Sequence, residues 1–340
     1  MPEPEQFDFV ALGDIVTDAF IRLKNAELHC DLKKENCQIC LAYGSKIPYE
    51  SVTVLPAVGN SPNAAVAAAR LGLKTALVTD LGADDHGREA LATLKRAGVE
   101  TRFVRVHENR LTNYHYVLWF ADDRTILIKH EEYPYALPII SAENSNSKPP
   151  RWLYLSSLGE NSLSYHKALL GYLNGAPEIK FAFQPGTFQI KFGHETLTGL
   201  YQRSDVFLCN VGETQKILGT TESEIKKLLV GLHELGPKIV VITDGPRGAH
   251  VLEEGRVWFM PPYPDPKPPL ERTGAGDAFS STFVAALALG KSVSEALTWA
   301  PINSMSVVQQ VGAQAGLLDR PTLEKYLAAA PADYKPRLVD

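Results

Sequence analysis

The 340-residue sequence lacks the features that would mark a membrane, secreted or nucleic-acid-binding protein. No apolar run reaches the roughly 18 residues that a membrane helix needs. Residues 1–8 contain neither the basic segment nor the apolar stretch of a signal peptide. Asp and Glu outnumber Lys and Arg by 39 to 34, so the basic surface that a nucleic acid requires is not expected. We therefore expect a soluble, cytoplasmic protein whose partner is neither a nucleic acid nor a membrane.

Cysteine is also scarce, with four residues in the chain: Cys30, Cys37, Cys40 and Cys209. A secreted scaffold held by disulfides would have more cysteines in a shorter chain, so we expect reduced thiols. The first three lie close together beside His29, which is a metal-like composition, but Cys-x6-Cys-x2-Cys is not a standard zinc pattern. Ordinary thiols are the expectation, and metal binding by the clustered three stays open.

The sequence contains no P-loop, because G-x-x-x-x-G-K-[ST] does not occur in it. The glycine-rich segment at 272–277 does not match the dinucleotide fingerprint G-x-G-x-x-G either, and it comes too late to open a first βα unit. A nucleotide site in this chain would therefore have to be of another kind.

What the sequence does contain is enough apolar material for a large core, 45% of the residues. Short apolar runs alternate with segments of helical period, among them a predicted helix at about 85–97. Because these runs are bounded by turn residues and lack an exposed face, they are typical of strands buried on both sides. The alternation predicts an α/β fold in which helices cover both faces of a mostly parallel sheet. The predicted strands are residues 9–12, 74–79, 180–183, 206–209 and 238–243.

Two segments interrupt this alternation, at about 19–57 and 103–130. The second contains extended runs at 114–120 and 125–129, which a turn at 121–124 would join into a hairpin. We predict that the two segments form a small antiparallel sheet that acts as a lid on one domain spanning residues 1–340. Residues 141–150 read as a polar loop, and the proline-rich 261–269 can form neither a helix nor a central strand.

The most informative segment is a glycine-rich turn that leads into a helix predicted at Ala275–Leu289. Phe279, Phe283 and Leu287 recur every four residues, and Gly290 occupies the usual position after a helix end. The helix start offers unpaired N–H groups and the positive end of the dipole, so Gly274, Ala275 and Gly276 would form an anion site. Asp277 beside that site could accept a proton from an attacking hydroxyl. Alternatively, Asp277 is an ordinary first-turn residue after a glycine-rich turn.

This segment, residues 272–279, resembles the second signature of the ribokinase, or PfkB, family of carbohydrate kinases, and the core Gly274–Asp277 is intact. The resemblance implies a three-layer ribokinase-like sandwich with a small β lid. It also implies that ATP and Mg²⁺ are the cofactors, that the glycines form the anion hole, and that Asp277 is the catalytic base. The similarity extends from about residue 8 to residue 330.

The first family signature resembles residues 58–72, where Gly59, Asn60 and Asn63 would bind the acceptor and Val58 replaces a usual glycine. On sequence grounds Pro62 suits the first helical position, with Ser61 as its cap. An internal hydrogen bond is the alternative role of Asn63. Asp18 matches the family aspartate that holds two sugar hydroxyls; otherwise it is a turn or cap residue.

The resemblance also implies a set of nucleotide-binding residues. They are Asn210, Thr243, Asp244, Gly245, Gly248 and Gly274. Asn210 and Glu213 match the Asn-x-x-Glu motif that is implicated in positioning Mg²⁺ and the phosphates, and we expect the contact to run through water, which a hard cation retains. The segment 243–248 is equally explained as a β-turn between two strands. Glu271 stands where the family usually has Asp near the monovalent-ion site, so K⁺ is an open cofactor.

Three further positions depart from the family or have two readings. Gln184 stands where many members have Asn or Asp, and Pro301 where Asn or His is usual. Arg124 could meet the substrate or a phosphate, although an exposed turn arginine is the simpler interpretation.

The resulting hypothesis is an ATP-dependent kinase that phosphorylates a primary hydroxyl of a small sugar or a sugar-like substrate. A nucleoside kinase of the same family and a non-catalytic sugar- or nucleotide-binding regulator are the alternatives. The acceptor itself cannot be read from the sequence, because it depends on the shape of the lid and the pocket. A homodimer through the lid would follow if the lid exposes a sheet face.

Overall fold

The computed structural model describes residues 5–31, 37–121, 123–137 and 148–339. The strands in these residues are β1 (Phe9–Leu12), β2 (Val16–Leu23), β3 (Glu27–His29), β4 (Gln38–Cys40), β5 (Tyr49–Val58), β6 (Thr75–Gly82), β7 (Val104–His107), β8 (Asn113–Phe120), β9 (Asp123–Leu127), β10 (Trp152–Leu155), β11 (Lys180–Phe183), β12 (Val206–Asn210), β13 (Ile239–Thr243), β14 (Ala249–Glu253), β15 (Arg256–Met260) and β16 (Arg337–Val339).

The helices alternate with these strands through most of the chain. They are α1 (Asn60–Arg70), α2 (Asp85–Arg96), α3 (Leu163–Gly175), α4 (Thr187–Phe192), α5 (Thr198–Arg203), α6 (Val211–Leu218), α7 (Ile225–Glu234), α8 (Ala275–Ala288), α9 (Val293–Val307) and α10 (Arg320–Ala328). Within the described ranges, every helix is too short or too polar to cross a bilayer.

The main sheet has the strand order β16-β15-β14-β13-β12-β11-β10-β1-β6-β7. From β13 to β7 neighbouring strands are parallel, and β14 to β16 extend the sheet antiparallel at one edge. Alternate residues of β1 enter different cores: Phe9 and Ala11 pack on one face, Val10 and Leu12 on the other. The first core is completed by α1, α8 and α9, and the second by α3, α5 and α7. The fold is thus a three-layer α/β sandwich, as predicted.

The elements that the apolar runs predicted are all present. The strands at 9–12, 74–79, 180–183, 206–209 and 238–243 correspond to β1, β6, β11, β12 and β13, and the helices at 85–97 and 275–289 correspond to α2 and α8. Residues 261–269 form neither helix nor strand. Of the predicted polar loop at 141–150, residues 141–147 lie outside the described residues.

A separate four-stranded sheet, the lid, has the order β5-β2-β8-β9. It is mixed rather than antiparallel as predicted, because β2 and β8, which come from segments far apart in the chain, pair in parallel. The predicted hairpin is present, since Phe120 pairs with Asp123 across β8 and β9, and residue 122 lies outside the described residues. The predicted boundary at 103 is wrong. β7 pairs in parallel with β6 in the main sheet, Thr79 opposite Val104, so the second lid segment begins only at β8.

The start of α1 also differs from the prediction. The helix begins at Asn60, and Gly59, with φ 119°, is its N-cap. Pro62 is therefore the third helical residue, where its missing N–H is still harmless in the first turn. Ser61 does not cap the helix, because its hydroxyl instead donates to the carbonyl of Leu12 at 2.6 Å.

The expectation of reduced thiols is wrong for two cysteines, since Cys30 and Cys37 form a disulfide. The cause is the β3–β4 hairpin, in which His29 lies opposite Gln38, so the residues just beyond this pair come together. Cys40 and Cys209 are free thiols. In the part of the chain that the structure describes, no group of three or more His, Cys, Asp or Glu could hold a metal ion.

Candidate active site

A cleft of about 430 Å³ lies between the lid and the carboxyl ends of the main-sheet strands. Parallel strands direct the loops that follow them to one edge, which is where open α/β sheets bind ligands. The cleft collects most of the residues that the sequence singled out: Asp18, Gly59, Asn60, Asn63, Asn210, Glu213, Thr243, Gly274, Gly276 and Asp277. From the lid, Arg124 also lines it, so this arginine is not merely an exposed turn residue.

A second cleft of about 320 Å³ adjoins the first, and Asn210, Thr243, Arg272 and Gly276 line both. Its walls are largely apolar and include Pro262, Tyr263, Phe279, Pro301, Met305 and Val308. Such a slot suits a flat heteroaromatic ring, and the shared residues would then lie between that ring and the first cleft.

The start of α8 lies at the junction of the two clefts. Gly274, the N-cap, has φ 80°, and a Cβ on it would overlap the side chain of Ala313. A Cβ on Gly276 would meet nothing within 4 Å. The chain is thus closely packed at Gly274 and open at Gly276, and both glycines line a cleft at the start of the helix, where N–H groups lack intrahelical partners.

Asp277, in the first turn of α8, is held by three amide side chains. Oδ1 accepts hydrogen bonds from Asn60 Nδ2 at 3.0 Å and from Gln184 Nε2 at 3.1 Å. Oδ2 accepts one from Asn63 Nδ2 at 2.9 Å. Burial raises the pKa of Asp277 above its ordinary value, although the three amides oppose this rise, and the charge of Asp18 adds to it. A carboxylate with a raised pKa in a cleft is suited to take up a proton.

Asn63 is itself held at both ends. Its Oδ1 accepts from Gln314 Nε2 at 3.0 Å, and the same Gln314 amide donates to the carbonyl of Ala57 at 2.7 Å. The internal hydrogen bond that the sequence left open as an alternative for Asn63 is therefore present, and its partner is Asp277.

A second acidic group lies at the lid side of the cleft. Asp18, on β2, pairs in register with His115 on β8, and Oδ1 of Asp18 is 3.4 Å from Nδ1 of His115. Neither this Oδ1 nor Nε2 of His115 has a hydrogen-bond partner among the described residues. By contrast, Asp14 is satisfied, since it accepts from the hydroxyl of Tyr135 at 2.8 Å and contacts His130 at 3.1 Å. Burial beside the Asp14 carboxylate raises the pKa of Tyr135.

Asn210 and Glu213 form a capping box at the start of α6. The Asn210 side chain accepts from the Glu213 N–H at 2.8 Å, and Glu213 Oε2 accepts from the Asn210 N–H at 2.9 Å. Burial raises the pKa of Glu213. Both side chains also line the first cleft, and Oε1 of Glu213 is not used in the box, so contact with a hydrated cation through water fits this donor set.

The segment 243–248 joins β13 to β14 through a single turn of 3₁₀ helix at Gly245–Arg247. Thr243, Gly245 and Gly248 line the second cleft. Asp244 lines neither of the two clefts. Its carboxylate instead accepts two hydrogen bonds from the guanidinium of Arg247, at 2.6 and 2.7 Å.

Glu271 connects two loops next to α8. Its Oε2 accepts from the N–H of Thr273 at 2.7 Å and its Oε1 from the N–H of Gly312 at 3.0 Å. The buried carboxylate of Glu271 therefore holds the turn of Gly274 against Ala313. This structural role explains a buried glutamate here even if no ion binds to it. K⁺ stays an open cofactor.

Sequence reasoning does not assign a role to several residues that line the first cleft, among them His115, Gln184 and Arg272. In the sequence, Gln184 is only a departure from the family pattern and Arg272 only part of a motif. His115 gave no signal at all, because its place opposite Asp18 follows from the register of two strands far apart in sequence.

Comparisons with known proteins agree with this architecture. The family model described as pfkB family carbohydrate kinase matches residues 26–320. The ribokinase of Bacillus subtilis (strain 168) is 26% identical over 273 residues, which are 79% of this chain and 87% of that protein. Arabidopsis thaliana ribokinase, solved in complex with ribose and ATP, aligns with a TM-score of 0.77 at 22% identity, over 95% of this chain and 99% of that one. The nucleoside kinase of Methanocaldococcus jannaschii aligns with a TM-score of 0.73 at 16% identity, over 95% and 99%. The protein therefore belongs to the pfkB family of carbohydrate kinases and has the fold of the ribokinases.

Proposed function

We propose that this protein transfers the γ-phosphoryl group of ATP to a primary hydroxyl of a small sugar or a sugar-like acceptor. The observation that carries the proposal is the position of Asp277 and Gly276 where a polar cleft meets a largely apolar one. The polar cleft would hold the acceptor, and the apolar slot would hold the adenine. The Arabidopsis relative, which binds ribose and ATP, supports the same pair of substrates.

In the proposed reaction, Asp277 takes the proton of the acceptor hydroxyl as its oxygen attacks the γ-phosphorus. A new P–O bond forms, the bond to the β-phosphate oxygen breaks, and ADP leaves. The N–H groups of Gly274 and Gly276 would face the negative charge on the transferred group and stabilise it, and that of Ala275 would join them by leaving the carbonyl of Arg272, to which it donates at 3.4 Å. Asp18 would hold acceptor hydroxyls, and Asn60 and Asn63 would keep the base in place.

Asn210 and Glu213 would hold Mg²⁺ through water, and the cation would supply positive charge that neutralises the phosphates. Thr243, Gly245 and Gly248 would contact the nucleotide, whereas the geometry favours a structural role for Asp244. Magnesium and the cytoplasmic location remain predictions, and K⁺ remains an open cofactor.

A nucleoside is the second candidate acceptor, and one feature of the cleft favours it. Ile126 and Ile128 of the lid and Phe188 of α4 line the acceptor cleft with apolar surface that a free pentose does not need. A base could lie against these side chains while the ribose hydroxyls meet Asp18. The nucleoside kinase of M. jannaschii has the same fold.

The test is a panel of sugars and nucleosides assayed for ADP formation with ATP and Mg²⁺. We expect turnover with at least one acceptor in the panel. Replacing the base, Asp277→Asn, should remove most of kcat while ATP binding, measured by calorimetry, is retained. Near-normal turnover in this variant would reject the assigned role. ATP and acceptor binding without phosphate transfer to any compound would favour a binding regulator instead.

We also propose that the lid forms a homodimer interface. On the face of the lid that points away from the cleft, neighbouring strands present apolar side chains, and Val52, Val54, Tyr116 and Leu127 are exposed. A contiguous apolar surface of this kind is typical of an interaction site.

A further inference from the structure

The hydrogen bonds that hold Asp277 come from two sides of the cleft. Asn60 and Asn63 reach it from the first turn of α1, and Gln184 reaches it from the loop after β11. Gln184 is buried, with 8% of its surface exposed. A long amide is held here at the position where the family often has a shorter Asn or Asp.

Gln184 has its own fixed support. The hydroxyl of Tyr154, a fully buried residue of β10, donates to Oε1 of Gln184. The hydrogen of this hydroxyl goes to Gln184. With Oε1 occupied, only the NH₂ group of Gln184 can face the carboxylate. The hydrogen bonds therefore run in one direction, from Tyr154 through Gln184 to Asp277.

The two carboxylate oxygens are used unequally. A carboxylate has about four lone-pair sites, two on each oxygen. Among the described residues, Oδ1 accepts two hydrogen bonds and Oδ2 accepts one. The site left for a further donor is therefore on Oδ2.

We propose that Gln184, oriented by Tyr154, is a positioning residue that occupies Oδ1 of Asp277 and thereby leaves Oδ2 to take the proton of the acceptor hydroxyl. The inference rests on the proposed function, because it assigns a role within the same reaction. It explains why the hydroxyl of a fully buried tyrosine donates to a side chain of the cleft wall. It also explains why the glutamine lies at the cleft wall with its oxygen directed away from the base.

Other charged groups face the same carboxylate and must be considered. The charge of Asp18 on β2 contributes to the raised pKa of Asp277, and the charge of Asp277 in turn contributes to the raised pKa of Glu213 on α6. Arg272 precedes α8, and His115 lines the lid side. Since none of these groups changes when Gln184 is replaced, a shift in the pH profile of that variant reports on the lost amide.

The experiment is the pH profile of kcat/KM for the best acceptor in three variants. In Gln184→Leu one donor to the ionised carboxylate is lost. We therefore expect the acid limb of the profile, where activity falls at low pH, to move to a higher pH by about one unit. The kcat at neutral pH should fall about tenfold and recover in part at higher pH. Tyr154→Phe should give a smaller shift in the same direction, because the amide is then free to turn. The double variant should be no worse than Gln184→Leu if Tyr154 acts through Gln184.

Gln189→Leu is the matched control. This buried glutamine on α4 donates to the carbonyl of Ser156 at 2.9 Å and accepts from the N–H of Gly186 at 3.1 Å, so its loss disturbs the loop after β11 without removing a donor to Asp277. We expect it to lower the melting temperature without moving the acid limb. If Gln184→Leu does not fold, Tyr154→Phe, which keeps the ring in the core, carries the test.

The proposal is overturned if the variants that fold lose activity with an unmoved acid limb, since Gln184 is then merely structural. That result leaves the kinase assignment intact as long as Asp277→Asn is inactive. Near-normal turnover of Asp277→Asn would instead reject the assigned base itself, so the two failures are distinguishable.

Discussion

Asp18 and His115 face each other across two parallel strands of the lid, and each has a buried polar atom without a hydrogen-bond partner among the described residues. Buried polar atoms are normally satisfied, so an absent partner at a cleft wall indicates a ligand group. The arrangement suits an acceptor hydroxyl that donates to Asp18 and accepts from, or donates to, His115.

We therefore expect Asp18→Asn and His115→Ala to raise the KM for the acceptor. A hydrogen bond to a charged group is worth about 1.5–3 kcal/mol, which corresponds to roughly 10–100-fold for Asp18. The KM for ATP is the internal control and should stay within about twofold, because the apolar slot is untouched. Steady-state kinetics in both substrates give the answer, and an equal rise in both KM values would speak against this assignment.

The second prediction concerns the pH dependence of the wild-type enzyme. Burial raises the pKa of Asp277, and the base must be ionised to accept a proton. Activity should therefore be complete above this raised pKa and should be lost as the pH falls through it. The acid limb of kcat/KM should lie at a higher pH than that of an exposed aspartate.

Glu213 must be separated from Asp277 in this profile, since burial raises its pKa too. We expect Glu213→Gln to keep the acid limb while needing more Mg²⁺ for half-maximal rate. If the activity of Glu213→Gln no longer falls at low pH, the group that titrates is Glu213, and the assignment of the acid limb to Asp277 is wrong.

The third prediction compares the two glycines of the proposed anion hole. Gly274 has φ 80° and no room for a Cβ beside Ala313, whereas a Cβ on Gly276 meets open space. Gly274→Ala combines left-handed strain with overpacking, so it should lower the free energy of unfolding by about 2–4 kcal/mol. Gly276→Ala should leave the fold stable and reduce kcat, because its methyl group enters the cleft where the phosphoryl group would move.

Urea unfolding and kinetics on both variants measure this difference. Adding Ala313→Gly to Gly274→Ala should recover little of the lost stability, because the Cα of residue 313 would still lie 2.5 Å from the new Cβ. Equal stability of the two single variants would contradict the packing argument.

Sequence reasoning reached the fold because buried strands such as β1 and the helix period of α8 are local patterns. It failed where the outcome depends on pairing. The predicted lid boundary is wrong because β7 pairs with β6 at the edge of the main sheet. No local sequence pattern indicates that pairing. The Cys30–Cys37 disulfide likewise depends on the register of the β3–β4 hairpin. Within the site, glycine and aspartate positions could be predicted from a contiguous motif, but Gln184 and His115 reach the cleft only through strand order.

The last prediction tests the lid as a dimer interface. Val54 lies on the face of β5 that points away from the cleft, with 44% of its surface exposed. A charged side chain there would have to be desolvated in the interface without a partner, so Val54→Lys should shift the protein from dimer to monomer. Light scattering on a sizing column would then give a mass near 37.3 kDa, against twice that value for the wild type. Val230 on α7, 42% exposed and outside the lid, is the matched control, and Val230→Lys should leave the dimer intact. A monomeric wild-type protein would reject the interface, and loss of the dimer in both variants would mean that the effect comes from charge rather than from the lid.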